Sequence, residues 1–261
     1  MIMKNSVVLL LTASLAFLTG CFDNHSRPSD VPTVAGLDAV SKTNRAEVVR
    51  LFLRGEKQPI SAESLSNLPK LEVLDLSETG IREIPATVFA LSTIKDLYLV
   101  RNDLTNLPAD LTKLTALRYL NLDGNQLANV PDVVSQLVAL KWLRLNENQL
   151  KEIPTSLAAL KNLRRFYARR NHLTSIPEVV KNWVALEDLL LDNNPIVELP
   201  DWLTSLPALK SLSLAGTRVS KLPADLSAWK KLNSLVLSGC PISEDESKRI
   251  RAALPDVAIL F

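Results

Sequence analysis

A 23-residue period governs this chain. In the stretch from Leu140 to Asn162, LKWLRLNENQLKEIPTSLAALKN, apolar side chains stand at positions 1, 4, 6, 11, 14, 18 and 21, with Asn148 at position 9 and Pro154 at position 15. The same template starts at Leu71, Ile94, Leu117, Leu140, Leu163, Leu186 and Leu209, and every copy is apolar at all of those positions. Hydrophobic residues make up 47% of the chain, so chance does not produce that agreement. Position 15 is always proline: Pro85, Pro108, Pro131, Pro154, Pro177, Pro200 and Pro223. A unit this short cannot bury its own apolar face, and successive copies have to stack on one another.

Within each period, positions 3 to 7 alternate in character. Leu143 and Leu145 enter the core while Trp142, Arg144 and Asn146 project from the other face of a strand. Each copy therefore adds one short parallel strand. Asn148 follows the strand, where the backbone bends with its amide groups buried, and a side chain with both a donor and an acceptor can satisfy them. The spacing predicts an internal ladder of Asn102, Asn125, Asn148, Asn171 and Asn194, with Thr79, Thr217 and Cys240 as smaller stand-ins. Proline at position 15 suits the first residue of a short helical turn, since its missing N–H would be unpaired there anyway. Positions 18 and 21 pack that turn back onto the core.

These residues resemble the leucine-rich repeat family in its 23-residue form, with Leu or Ile followed by Pro at positions 14 and 15. The resemblance implies an α/β solenoid, with a curved parallel sheet on the concave face and short helical turns on the convex face. Residues 47–261 form this domain. Residues 48–70 are a degenerate first copy in which Glu56 replaces the ladder asparagine, and they read as an N-terminal cap because a terminal repeat has one face in water. Seven regular copies fill 71–231. Residues 232–261 supply a last strand, a helix from about Ser243 to Ala253 and an apolar strand to Phe261, similar to the C-terminal caps of bacterial leucine-rich repeat proteins. The expected sheet has about nine strands and is roughly 40 Å across.

Residues 1–20 read as an export signal. Lys4 precedes an apolar run from Val7 to Leu18, shorter than the roughly 20 residues a membrane span needs. Leu18-Thr19-Gly20-Cys21 resembles the bacterial lipobox. That resemblance implies cleavage before Cys21, acylation of Cys21 with palmitate-type chains, and a firm hold on a membrane. Phe22 in place of aspartate implies sorting to the outer membrane of a bacterial cell envelope. Residues 21–46 hold Pro28, Pro32 and Gly36 among polar residues without a period, and read as the acylated cysteine and a flexible tether. The whole resembles a bacterial leucine-rich repeat lipoprotein.

Charge and chemistry narrow the function. A formal net charge of +2 argues against nucleic acid as a partner. Cys21 and Cys240 are the two cysteines and His25 and His172 the two histidines, so neither a disulfide framework, a metal site nor a catalytic triad is expected. No cofactor is implied, and an enzyme is not expected. On the outward strand positions, Tyr98, Tyr119, Trp142 and Tyr167 gather in the middle with Arg144 among them. These are residue types that dominate binding hot spots, although they also stiffen a sheet by stacking across strands. In-register stacking sets Arg164 beside Glu187, Arg165 beside Asp188, Arg169 beside Asp192 and Arg170 beside Glu147, which predicts interstrand ion pairs rather than an anion site. Lys95, Arg118 and Lys141 form a basic run without such relief, flanking the aromatics. The expectation is a monomeric, non-catalytic, membrane-tethered module that captures a protein or other acidic envelope or host ligand on its concave face. A structural spacer of the envelope is the alternative.

Overall fold

The computed structural model describes residues 31–261. Cys21, His25, the export signal and most of the expected tether lie outside the described residues. Residues 32–261 form one compact unit built on an eleven-stranded parallel sheet whose order in space is its order in the chain. Its strands are β1 (Thr33–Ala35), β2 (Arg50–Phe52), β3 (Val73–Asp75), β4 (Asp96–Tyr98), β5 (Tyr119–Asn121), β6 (Trp142–Arg144), β7 (Arg165–Tyr167), β8 (Asp188–Leu190), β9 (Ser211–Ser213), β10 (Ser234–Val236) and β11 (Ala258–Leu260). The register advances by one period per strand: Leu120 pairs with Leu143, and Leu143 with Phe166. Inward residues of all the turns join a single apolar core running from Val34 to Leu254.

The sheet exceeds nine strands by β11, the expected apolar strand at the C-terminal end, which joins β10 in parallel, and by β1, which was not expected. Residues 32–46 are not a tether. Thr33–Ala35 pairs in parallel with Arg50–Phe52, the short helix α1 (Leu37–Ser41) follows, and Val40 is fully buried. One strand and one apolar residue carry too little pattern to register as a period, yet they cover the first turn's open face. Glu56 takes the ladder position there, accepting the amides of Leu37, Lys57 and Gln58 at 3.4, 3.0 and 3.1 Å. Those amides, Gln58 foremost, hold its carboxyl below the usual carboxylate range.

In six of the seven copies the proline at position 15 stands one place earlier than expected, before the turn and not within it. The helical turns are 3-10 turns such as Thr155–Ala159, and Pro154 caps the turn in an extended conformation (φ −66°, ψ 145°), its carbonyl accepting the Leu157 amide at 3.2 Å. Proline's fixed φ serves an extended residue as well as a helical one. The seventh copy has no such turn at Pro223. Helix α2 (Glu244–Ala253) closes it instead. Glu246 accepts the Leu222 amide at 2.8 Å, and Arg249 donates to the carbonyls of Leu222, Pro223 and Ala224 at 3.1 to 3.2 Å. The two side chains thus satisfy backbone that a further repeat would otherwise cover.

The asparagines are buried between turns. Asn148 accepts the Leu127 amide of the preceding turn at 3.0 Å and donates to Leu122 O, Leu145 O and Asn146 O at 3.0, 3.2 and 3.1 Å. Asn171 repeats the pattern one turn on. The column works by bridging backbone to backbone, each asparagine tying its own turn to the one before. Cys240 fills the same place more weakly, its Sγ lying 3.1 Å from Leu214 O and 3.2 Å from Thr217 Oγ1.

To aim position 9 inward, position 8 adopts a left-handed backbone. Glu78, Arg101, Glu147, Arg170 and Asn193 have φ between 51° and 59°, and Gly124 and Gly216 have φ 68° and 66°. At Gly216 a Cβ would come within 2.5 Å of Asn193 Oδ1. Gly216→Ala is therefore expected to lower unfolding free energy by about 1–2 kcal/mol through backbone strain alone, read by urea denaturation. Glu147→Gly should be neutral or slightly stabilising in the same assay. Equal stability of wild type and Gly216→Ala would show that the left-handed column is not required.

Candidate functional site

The outward side chains of β4 to β7 form one aromatic chain. Ring centroids of Tyr98 and Tyr119 lie 4.8 Å apart, those of Tyr119 and Trp142 4.8 Å, and those of Trp142 and Tyr167 5.5 Å, with the last two contacts edge-on. Such tilted and edge-on packing follows from the ring quadrupole. Adjacent strands place these side chains on one face because the register sets Tyr119 beside Trp142. The aromatics are less wet than expected. Tyr119 and Tyr167 are 8% and 3% exposed, while Tyr98 and Trp142 stay partly open. Burial pushes the hydroxyls of Tyr119 and Tyr167 far above the usual phenol range.

Arginines close over this layer. The Arg144 guanidinium lies 5.9 Å from the Trp142 ring and 5.6 Å from that of Tyr167, and Arg165 lies 4.8 Å from Trp142. Arg144 is at the same time locked to Asp123, with Nη2 and Nε at 2.6 and 2.8 Å from Oδ2. Asn146 adds its backbone N–H and Nδ2 to that carboxylate at 2.8 and 3.1 Å. Burial raises the Asp123 pKa, with Arg144 and Asn146 acting against it. For Arg144 burial alone would lower the pKa, and the Asp123 charge reverses the sign. The indole Nε1 of Trp142 is buried with no acceptor among the described residues.

Asp123 and Asn146 belong to a second polar column that the sequence reading missed. At position 7, Ser77 Oγ accepts Val100 N at 3.1 Å, Asp123 Oδ1 accepts Asn146 N, and Asn146 Oδ1 accepts Arg169 N at 2.8 Å. The signal was present as short polar residues recurring just before the left-handed position. The choice of serine, aspartate or asparagine obscured it, since any acceptor serves.

The expected interstrand ion pairs are formed. Arg164 reaches Glu187 at 3.1 Å, Arg165 reaches Asp188 at 3.1 Å, Arg169 reaches Asp192 at 2.7 Å, and Arg170 reaches Glu147 at 2.9 Å. Lys95 departs from expectation because it pairs with Glu72, the position-2 residue of the preceding turn. Arg118 and Lys141 are exposed and have no ion pair among the described residues. His172 is also exposed. A hollow of about 770 Å³ lined by Arg45, Leu65, Asn67 and Leu91 holds none of the predicted residues. Among the described residues no three His, Cys, Asp or Glu side chains are grouped to hold a metal, and no helix is long and apolar enough to cross a membrane.

A parallel sheet advancing one strand per period, 3-10 turns behind it and asparagines between the turns define a leucine-rich repeat solenoid, a class that is generally a non-catalytic scaffold for binding proteins. Residues 105–194 match the family described as leucine-rich repeat region, and residues 69–127 match one described as leucine rich repeat. The chain is similar to the crystal structure of an internalin (inlF) from Listeria monocytogenes, with a TM-score of 0.67 and 26% identity over 86% of this chain and 70% of that one. A leucine-rich repeat protein of Leptospira interrogans aligns with a TM-score of 0.42 and 20% identity over 88% of this chain and 89% of that one. No curated protein matches the sequence.

Proposed function

We propose that this protein is a lipid-anchored, monomeric binding module of a bacterial cell envelope, held at the outer membrane through Cys21, that captures a protein partner on its concave face. The observation that carries the reading is the four-ring band from Tyr98 to Tyr167. It is set rigidly by the Asp123–Arg144 pair and leaves Tyr98 and Trp142 partly open. Rigid, partly buried aromatics ringed by arginine lose little side-chain entropy on contact and match the composition of binding hot spots. The lipobox-like run ending at Cys21 supports the anchor.

Two measurements test this. Growth with labelled palmitate should mark the wild type and leave Cys21→Ser unmarked; label in both would remove the anchor from the proposal. Crosslinking of envelope and host proteins to the intact domain should drop at least about tenfold in the Tyr98→Ala/Trp142→Ala variant, as expected for two hot-spot side chains. Equal capture by the two, with circular dichroism showing both folded, would favour a spacer without a dedicated partner.

A further inference from the structure

We infer that the partner presents an acidic peptide segment whose carboxylate sits between Arg118 and Lys141, at the foot of the aromatic band. This rests on the concave face being the binding surface. Position 2 of successive turns reads Glu72, Lys95, Arg118, Lys141, Arg164 and Glu187. Backbone hydrogen bonds set these residues side by side: Arg118 N donates to Lys95 O at 2.7 Å, Lys141 N to Arg118 O at 2.8 Å, and Arg164 N to Lys141 O at 2.8 Å. Four cations thus occupy four consecutive turns. The outer two each meet a carboxylate, Lys95 that of Glu72 and Arg164 that of Glu187, which Lys210 shares at 2.8 Å. The inner two meet no carboxylate among the described residues.

Like charges on neighbouring strands repel. Elsewhere on this face the regular turns answer their arginines with an acid one strand away, as Arg165 is answered by Asp188 and Arg169 by Asp192. The exception falls beside Tyr119 and Trp142. It leaves a cationic window two strands, or about 10 Å, wide. One or two carboxylates fit that window.

A polyanion fits poorly. Its charges recur along its length, and they would run into Glu72 and Glu187 at either side of the window. Stacking of bases needs open ring faces, and Tyr119 and Tyr167 are 8% and 3% exposed. A peptide that places an apolar side chain on Tyr98 and Trp142 and an Asp or Glu over Arg118 and Lys141 satisfies both halves of the surface.

The test uses the full chain and an array of octapeptides pairing Phe, Tyr or Leu with Asp or Glu, each beside its Asn or Gln counterpart, with a heparin fragment as polyanion. Acidic members are expected to bind about tenfold more tightly than their amides, and Arg118→Glu/Lys141→Glu should abolish that preference. Arg82→Glu/Lys151→Glu changes the net charge equally at exposed positions off this face and should retain it. Binding of acids and amides alike, binding of heparin alone, or binding of no peptide would overturn the inference. Neutral peptides that bind and are lost in Tyr98→Ala/Trp142→Ala would preserve the concave site while removing its acidic specificity. Peptide binding that survives that aromatic variant would remove both.

Discussion

Arg144→Met is expected to destabilise the solenoid by about 3–4 kcal/mol at neutral pH, because deleting one partner of a buried ion pair strands the other's charge. Asp123 keeps the two donors of Asn146 but loses the guanidinium that touches it at 2.6 Å. Its pKa is already raised by burial in the wild type and must rise further in the variant. The sign follows from linkage. A group whose folded pKa lies above its unfolded value favours the folded state below the unfolded pKa, and that contribution is lost as pH rises through the folded pKa. The variant's deficit should therefore shrink as pH falls from 7 towards 4, where Asp123 takes up its proton. Adding Asp123→Asn should recover most of the loss at pH 7. Urea unfolding of the single and double variants across that range checks both points, and a deficit independent of pH would show that lost packing over Trp142 and Tyr167, not the stranded charge, sets the cost. Binding should fall as well, since the same guanidinium roofs the aromatic band.

Asn148→Ala is the second large effect, at about 2–4 kcal/mol. The Leu127 amide loses its acceptor in the interior, whereas Asn146 O gives up one donor and keeps the Gly124 amide at 2.8 Å. Leu122 O and Leu145 O fare better, since each also receives a neighbouring asparagine, Asn125 at 3.0 Å and Asn171 at 2.9 Å. That redundancy keeps the expected cost below the sum of four broken bonds. Asn148→Asp is a sharper probe: it keeps an acceptor for Leu127 N but aims carboxylate oxygen at backbone carbonyls, so its stability should recover as pH falls. Hydrogen exchange at Leu127 should accelerate in Asn148→Ala before the amides of distant turns respond. Uniform acceleration would indicate that the array unfolds as one cooperative unit.

Much of this molecule is legible as pattern. Leu143, Leu145, Asn148 and Pro154 recur at fixed spacing because a solenoid subjects every turn to the same demands, so each position is tested seven times over in the chain. In-register stacking even predicts the partners of Arg164, Arg165, Arg169 and Arg170. The ends resist such reading because they occur once. Thr33–Ala35 joins the sheet through backbone hydrogen bonds that any residues could make, and Glu246 and Arg249 close the seventh turn by geometry unique to that place.

The chemical character of the concave face lay further out of reach. Which side chains line it follows from alternation, but how deeply they lie does not. Tyr167 lies under Arg144 and Arg169, Tyr119 is packed between Tyr98 and Trp142, and rotamers of long side chains answer to neighbours on several strands at once. Periodicity, a property of the covalent chain, was enough to establish the coil, its register and its polar ladder. Burial depth, the Asp123–Arg144 pair and the loss of Lys95 from the basic run to Glu72 were decided only when the turns were stacked, because burial and charge compensation belong to surfaces made jointly by residues distant in the chain.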